Sequence, residues 1–291
     1  MHRFAAAAAG IALLAAGSTS FAQTVYPIDR AEILAGTTFD FKVEFPGLAD
    51  PAKVSISING EDYAKALGNT ASFIAREDGK DQSALILRDV SLTQPGDYKV
   101  RVTDGVVSRE ITWNVYATGQ RKAKNVILFI GDGMSPAHRI AARLLAKGVA
   151  EGKARGKLAM DDMPHMALVA TAGTDSIITD SANSASAYAT GHKSAVNAMG
   201  VYADRTLDPL DDPKVETITS LVKRRLGMAV GVVTNTEIED ATPAAMLAHV
   251  RRPQRIRPHR RAVFRGQTRR AHGRRQSQFP AERRRRRQAQ G

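Results

Sequence analysis

The 291-residue sequence has no cysteine, and aromatic residues make up only 5% of it. Without cysteine the chain cannot form disulfides, thiolate metal sites or a cysteine nucleophile, so any catalysis must use oxygen and imidazole groups. The apolar run at residues 4–16 falls short of the ~20 residues that span a bilayer. Hydrophobic residues nevertheless reach 43%, which is enough for a packed core and excludes a chain disordered throughout.

Acidic residues are almost absent from the last 41 residues, which hold 16 arginines, no lysine and Glu282 as the single acid. Residues 1–250 hold 26 basic and 28 acidic residues and so carry a net charge of −2. The overall charge of +13 normally suggests a nucleic-acid or anionic-membrane partner. Because that charge belongs to the tail alone, we expect no nucleic-acid partner.

The first 22 residues have the pattern of an export signal. His2 and Arg3 precede the apolar run, and the small residues Ser20 and Ala22 form an A-x-A-like cleavage site. A membrane anchor is the alternative, but the apolar run is too short for one. We therefore expect a signal peptide at 1–22, an exported, periplasmic or secreted protein, and no membrane contact after cleavage.

Residues 23–117 show hydrophobic alternation with a period of two, as in 39–45, 54–58, 98–102 and 111–115, and turn-forming residues separate the runs. This pattern predicts an all-β antiparallel sandwich, and residues 96–100 make it resemble an immunoglobulin-like domain. Tyr98 follows Gly96-Asp97 as in a tyrosine corner, although the inter-sheet cysteines are missing. The segment has no convergent polar cluster, so we expect it to serve packing, positioning or binding.

After a polar linker at 118–124 the pattern changes. Continuous apolar runs at 126–130, 166–172 and 228–234 are typical of strands buried on both faces of a parallel sheet. Helical patterns lie between them, one starting near Pro136 and one at 214–226. The alternation predicts an α/β domain over residues 125–250.

Two polar positions in this region have both a structural and a functional interpretation. Asp132 lies between two glycines at the carboxyl end of the first predicted strand, where α/β proteins bind ligands, but an Asp-Gly turn explains it equally well. Asp180 and Ser181 begin a run of small residues that Gly191 ends. In the structural interpretation, Asp180 is a helix cap. In the functional interpretation, the Ser181 hydroxyl lies in the positive potential of a helix N-terminus, which suits a phosphoryl group.

A third polar position follows the strand predicted at 228–234. Asp240 and Thr242 precede Pro243, which suits the first turn of a helix running to His249. Capping explains one oxygen-bearing residue. Together with Glu237 and Glu239, these oxygens also suit a hard cation such as magnesium.

The three segments together resemble the alkaline phosphatase family. The resemblance rests on residues 125–134 (NVILFIGDGM), 180–185 (DSANSA) and 240–245 (DATPAA), with His249. These motifs occur in the family's order and spacing, and the resemblance covers residues 124–250. It implies an alkaline-phosphatase-like α/β fold that this chain contains only in part.

The resemblance also implies residue roles. Ser181 would be the nucleophile that forms a phosphoserine intermediate from a phosphate monoester. Asp132 would bridge a zinc and a magnesium ion, and Thr242 would bind the magnesium, with Asp240 a ligand directly or through its water. Metal coordination activates a serine hydroxyl, and two metals stabilise the attacking and leaving oxygens. A homodimer is expected only for a full-length version.

The sequence departs from the family after residue 250. Pro253 stands where the family has a phosphate-clamping arginine, and the tail offers only Glu282, His259 and His272 as further ligands. The composition of 251–291 is typical of GC-rich codons read out of frame, and we expect this tail to be frameshifted and disordered. An arginine-rich arm for nucleic acid is the alternative.

We expect that this 291-residue sequence is a truncated chain with little or no phosphatase activity. Two other functions remain open: a phosphodiesterase or sulfatase of the same superfamily, and a non-enzymatic binding protein built on the β domain.

Overall fold

A computed structural model describes residues 22–251 and the backbone of residues 272 and 273. The strands are β1 Thr24–Tyr26, β2 Ala31–Leu34, β3 Thr38–Glu44, β4 Ser55–Ile58, β5 Glu61–Asp62, β6 Ser72–Ile74, β7 Ala84–Ser91, β8 Gly96–Thr103, β9 Ser108–Tyr116, β10 Val149–Ala150, β11 Lys153–Ala154, β12 Ala198–Met199, β13 Val233–Thr234, β14 Val250–Arg251 and β15 His272–Gly273. The helices are α1 Tyr63–Leu67, α2 Pro136–Lys147, α3 Ser181–Thr190, α4 Ile218–Leu226 and α5 Ala241–Ala244, with 3-10 turns at Glu77–Gly79 and Ala159–Asp162.

Strands β1 to β9 form two sheets that enclose one core. The first sheet has the order β1-β3-β7-β6 and is antiparallel. The second has the order β2-β9-β8-β4-β5, in which only the β2–β9 pair is parallel. Apolar side chains of both sheets pack into a single cluster. This part of the chain is therefore a β-sandwich.

Trp113 on β9 lies at the centre of the sandwich. Its side chain is fully buried, and its ring meets Phe39 and Phe41 of β3 edge to face, with centroids 5.7 and 5.9 Å apart. The indole Nε1 donates a hydrogen bond to the carbonyl oxygen of Pro27 at 2.9 Å. This bond satisfies the polar atom that burial of an indole would otherwise leave unpaired.

Hydrophobic alternation predicted the main strands of the sandwich correctly. Strands β3, β4, β8 and β9 form where period-two runs were found. Tyr98 also makes the bond of a tyrosine corner, because its hydroxyl donates to the carbonyl oxygen of Gln94 at 2.9 Å.

Capping residues predicted several helix boundaries correctly, but the helix predicted at 214–226 begins only at Ile218, because residues 214–216 are hydrogen-bonded to β3. Pro136 opens α2, Gly191 ends α3 in the left-handed conformation, and Gly227 ends α4 in the same way. The helix predicted to run to His249 is shorter, because α5 contains only four residues.

The prediction of a parallel sheet in residues 125–250 is wrong. Residues 126–130 and 166–172 form no strand, and only Val233–Thr234 of the third run does. Phe129 is 84% exposed and Leu168 is 93% exposed. A strand of this kind is stable only with paired neighbours and helices on its faces, and α2 buries none of its residues. Within residues 22–251 these runs therefore lack the partners that a buried strand needs.

Two predictions concern segments that the structure leaves undescribed. The signal peptide at 1–22 lies outside the described residues except for Ala22, and the tail at 251–291 does so except for Arg251 and the strand β15. In the described segment that begins at Ala22, no helix has the length and hydropathy to cross a membrane.

Candidate functional site

Three residues singled out by sequence meet at one carboxylate. Ser181 donates its hydroxyl hydrogen to Asp132 Oδ1 with an oxygen–oxygen distance of 3.0 Å. Thr242 donates to the other oxygen, Asp132 Oδ2, at 2.9 Å. Asp132 therefore joins the start of α3 to α5, with each carboxylate oxygen accepting one hydroxyl.

Helix α3 holds Ser181 at its first position. The Asp180 side chain accepts a hydrogen bond from Asn183 N at 2.8 Å, and Asn183 Oδ1 accepts one from Asp180 N at 2.9 Å. This reciprocal cap fixes the entry of the chain into the helix. A second bond, from Asn197 N to Asp180 Oδ2 at 2.7 Å, ties the cap to a neighbouring loop. Ser181 is thus held at the positive end of a helix, where an anion is stabilised.

Small side chains set the distance between α3 and the helix that carries Thr242. Ala182 and Ala185 of α3 are buried against alanines of α5 and the residues that follow it. Because alanine has no atoms beyond Cβ, two such helices approach closely. The packing places the first turn of α5, which carries Thr242, beside α3. The buried members of this cluster are Ala182, Ala185, Met199, Ala241, Ala244, Ala245 and Ala248.

Asp132 lies in an exposed turn. Met134 N donates to Gly131 O at 3.1 Å, and Gly133 has a φ of +65°, a conformation that glycine adopts without strain. The structure thus contains the Asp-Gly turn that was one of the two interpretations of Asp132 in the sequence. It also places the carboxylate within hydrogen-bonding distance of the Ser181 and Thr242 hydroxyls.

Asp240 caps α5. Its Oδ1 accepts a hydrogen bond from Ala241 N at 2.8 Å, and its carbonyl oxygen accepts one from Ala244 N at 3.0 Å. This is the capping role that the sequence left open beside a role as metal ligand. It orients the first turn of α5, from which Thr242 reaches Asp132.

The metal ions implied by the resemblance differ in how well they suit these residues. The oxygens of Asp132, Ser181 and Thr242 are hard donors of the kind that magnesium prefers. Zinc sites in proteins use three or four His, Cys, Asp or Glu ligands, and no group of three such residues is placed to hold a metal within the described part of the chain. The described residues fit part of a magnesium site and do not fit a zinc site.

Tyr188 lies beside the site and was not predicted from sequence. Burial raises the pKa of its phenol, the negative charge of Asp132 raises it further, and a hydrogen bond with Thr242 opposes the shift. Tyr188 lies two turns after Ser181 on α3, so helical spacing could have indicated that both residues share a face.

Gly200 is a second residue that sequence reasoning missed. Its φ is +62°, and a Cβ there would lie 2.5 Å from Ala248 O and 2.8 Å from His249 Nδ1. Its carbonyl oxygen accepts a hydrogen bond from His249 Nδ1 at 2.8 Å. His249, which belongs to the third motif, therefore packs the segment after α5 against Gly200, and burial lowers the pKa of its imidazole.

Comparison with known proteins gives matches that include the segment carrying these residues. The sequence model of the family "Alkaline phosphatase" matches residues 123–268, which is half of the chain and extends past residue 250, where the recognisable motifs end. The tissue-nonspecific alkaline phosphatase of Gallus gallus is 40% identical over 133 residues, covering 45% of this chain and 26% of that protein. The alkaline phosphatase of Escherichia coli K12 is 41% identical over 136 residues, covering 45% and 26%.

The chain spans about a quarter of the length of these relatives. Among solved structures, the titin M3 domain is 21% identical and covers 33% of this chain and 95% of its own, with a TM-score of 0.20; so low a score assigns no fold. The family match contains Asp132, Ser181 and Thr242, the three residues that meet in the structure. The chain belongs to the alkaline phosphatase family.

Proposed function

We propose that this chain carries the nucleophile of a phosphate monoester hydrolase, an alkaline phosphatase that acts through a phosphoserine intermediate. The observation that carries the proposal is the pair of hydrogen bonds from Ser181 and Thr242 to Asp132. A serine hydroxyl is a weak nucleophile unless a neighbouring group takes its proton. Asp132 Oδ1 is within hydrogen-bonding distance of that proton.

The proposed reaction uses residues of this chain as follows. The Ser181 oxygen attacks the phosphorus of the monoester while its proton passes to Asp132. The bond from phosphorus to the ester oxygen breaks, and the departing oxygen takes a proton from water to leave as an alcohol. A second water then attacks the phosphorus and loses a proton to the hydroxide left by the first water. The bond from phosphorus to the Ser181 oxygen breaks, that oxygen takes its proton back from Asp132, and phosphate is released. The N-terminus of α3 stabilises the phosphoryl oxygens, since its first N–H groups have no partner within the helix.

Magnesium is part of the proposal. Asp132 and Thr242 would hold it, and when bound it would supply positive charge that neutralises the phosphoryl group. Thr242 also keeps Asp132 oriented, because its hydroxyl bonds the oxygen that Ser181 leaves free. Zinc has no such set of ligands in the described residues, so no step is assigned to it.

We also propose that the 291-residue chain has little or no turnover by itself. Proline occupies position 253, where the resemblance implies an arginine, and residues 251–291 hold one acid and two histidines. A phosphoryl group on Ser181 would therefore lack the arginine that the resemblance implies at position 253, and residues 251–291 would supply few metal ligands beside it. A reading frame shifted within the tail accounts for that composition.

Two further features complete the proposal. The bond from Tyr98 to Gln94 O and the burial of Trp113 between the sheets support an immunoglobulin-like sandwich. The basic start, apolar run and small residues of 1–22 support export to the periplasm or the medium. A homodimer is proposed only for a version that spans the full length of the alkaline phosphatase relatives.

The test is a chimaera that supplies what this sequence lacks. Residues 1–250 are joined to the part of the Escherichia coli relative that begins directly after the position aligned with residue 250. With magnesium and zinc present, the chimaera is expected to hydrolyse a chromogenic phosphate monoester faster than a phosphodiester or a sulfate ester, and Ser181→Ala is expected to abolish this activity. Preference for the diester or the sulfate ester would replace the proposal with another enzyme of the superfamily.

A further inference from the structure

The outward face of β3 is polar, yet it is buried. Phe39, Phe41 and Val43 point into the sandwich, so Asp40 and Lys42, like Glu44, point away from it. In a two-sheet sandwich such a face normally meets water. Here Asp40 and Lys42 are each 1% exposed, because residues 200–216 cover them.

Lys42 is the centre of this contact. Its ammonium lies 2.5 Å from Asp204 Oδ2 and 2.7 Å from Glu77 Oε1, and 3.5 Å from Glu44 Oε1. Arg205, next to Asp204, donates to Glu77 Oε2 at 2.7 Å. Charges buried this deeply are tolerated only when they are paired, so losing one partner is far more costly than losing a surface ion pair.

Backbone bonds extend the first sheet of the sandwich beyond its edge. Asp40 N donates to Lys214 O at 2.8 Å, and Glu216 N donates to Thr38 O at 2.9 Å. Asp40 Oδ2 accepts from Lys214 N at 2.9 Å. Residues 214–216 thus pair with the first half of β3, while β1 pairs with its second half.

The same segment continues to the helix that carries Ser181. Val215 N donates to Gly200 O at 2.9 Å, and Gly200 N donates to Ser186 Oγ, in the middle of α3, at 2.9 Å. Gly200 O also accepts the bond from His249. Hydrogen bonds therefore run without interruption from β3 through residues 214–216 and Gly200 to α3 and to the end of the α5 region.

We propose that the β-sandwich braces the nucleophile helix, and that Lys42 on β3 is a positioning residue that holds residues 200–216, and through them α3, in place. The importance of α3 rests on the function proposed above, but the brace itself is a property of the fold. The partner of the sandwich in this brace is the segment 200–216 of the same chain. The carboxylate of Asp204 in that segment pairs with Lys42, which is the only lysine on β3.

The test is hydrogen–deuterium exchange of the full chain and needs no phosphatase activity. Lys42→Met keeps the length of the side chain and removes its charge, leaving Asp204 without its ion-pair partner and Glu77 paired with Arg205 alone. We expect amides of residues 181–190 and 198–216 to exchange about tenfold faster or more, while β8 and β9 keep their protection. Lys42→Arg, which restores the charge, is expected to recover most of the protection in α3. A side chain that only fills space would be replaced adequately by Met.

Lys99→Met is the matched control, since Lys99 is an exposed lysine on β8; its exchange should equal that of the wild type. Glu216→Gln is a second variant outside the sandwich, which weakens the bonds of Glu216 to Thr38 N and Arg224. If Lys42→Met unfolds β8 and β9, the exchange of residues 198–216 and α3 in Glu216→Gln tests the proposal instead. The proposal is overturned if residues 198–216 lose protection while α3 does not, or if Met and Arg at position 42 behave alike. Failure of the phosphatase proposal would leave these exchange results unchanged.

Discussion

Ser181 donates its hydroxyl hydrogen to Asp132 at 3.0 Å although 49 residues separate the two in sequence. Asp132 follows an exposed apolar run and Ser181 begins a helix, so no regular element joins them directly. Within the described chain, Asp132 is the only carboxylate that is hydrogen-bonded to the Ser181 hydroxyl. It therefore lies where it can accept the serine proton.

The first prediction concerns this carboxylate. In the chimaera with the Escherichia coli segment, Asp132→Asn keeps the size of the side chain but removes the group that accepts the proton. We expect kcat for a phosphate monoester to fall about 10²- to 10⁴-fold. Asp81→Asn, at an exposed aspartate that pairs with Arg76 on the sandwich, is the control and should not change kcat. Retention of more than about a tenth of the activity by Asp132→Asn would remove Asp132 from the chemistry.

The second prediction concerns the close approach at Gly200. Gly200→Ala adds a Cβ within 2.5 Å of a carbonyl oxygen at a φ of +62°, whereas Gly227 has a φ of +61° and open space around it. Gly227→Ala therefore measures the conformational strain alone, about 1 kcal/mol. We expect Gly200→Ala to lower the free energy of unfolding by a further ~1–3 kcal/mol, measured by urea denaturation. Equal losses in the two variants would show that the segment around Gly200 is loosely packed.

The third prediction concerns pH. Burial raises the pKa of Asp212 to about 7, and the negative charges of Asp204 and Asp211 act in the same direction. The folded state therefore binds more protons than the unfolded state between about pH 4 and pH 7, so this carboxyl's contribution to stability falls as the pH rises through that range.

Asp212→Asn removes this titration and keeps an oxygen for the bond from Asp204 N. We expect the variant to match the wild type near pH 4 and to exceed its free energy of unfolding at pH 8 by an amount on the order of 2–4 kcal/mol. Asp208→Asn, an exposed position in the same loop, should follow the wild type at every pH. An unchanged pH profile in Asp212→Asn would contradict the shifted pKa.

The fourth prediction concerns the exposed apolar runs. Phe129 and Leu168 are 84% and 93% exposed, and apolar surface of this kind promotes association. We expect Phe129→Ser combined with Leu168→Ser to reduce self-association, measured by light scattering, without changing the unfolding of the sandwich. Val106, also 91% exposed but isolated in a turn of the sandwich, provides the control Val106→Ser. The interpretation fails if Val106→Ser reduces association as much as the double variant.

Local patterns in the sequence were sufficient for the apolar half of the sandwich. Alternation identified Phe39, Phe41 and Val43 as core residues, and it left Asp40 and Lys42 on the opposite face. That face is buried because Asp204 and its neighbours cover it, and Asp204 lies 162 residues from Lys42. A pairing at that separation leaves no periodic signal in either segment.

The candidate site shows the same division. Local features of the sequence leave a turn or capping role open at these positions, and only the resemblance to the family's motifs predicts Asp132, Ser181 and Thr242 as site residues. Tyr188 and Gly200 were missed, since their importance depends on which segments pack beside them. The apolar run at 126–130 was interpreted as a buried strand, but a strand also needs neighbours, and residues 22–251 supply none for it.

The central claim is that Ser181 is the nucleophile, and trapping the phosphoryl group tests it most directly. The chimaera is mixed with a phosphate monoester, quenched in acid and digested, and the peptide containing residues 181–190 is examined by mass spectrometry, with Ser181→Ala as control. The account predicts one phosphoryl group on Ser181 in the chimaera and none in the variant. Hydrolysis of the ester with no phosphate on Ser181, or with equal rates in the two proteins, would contradict it.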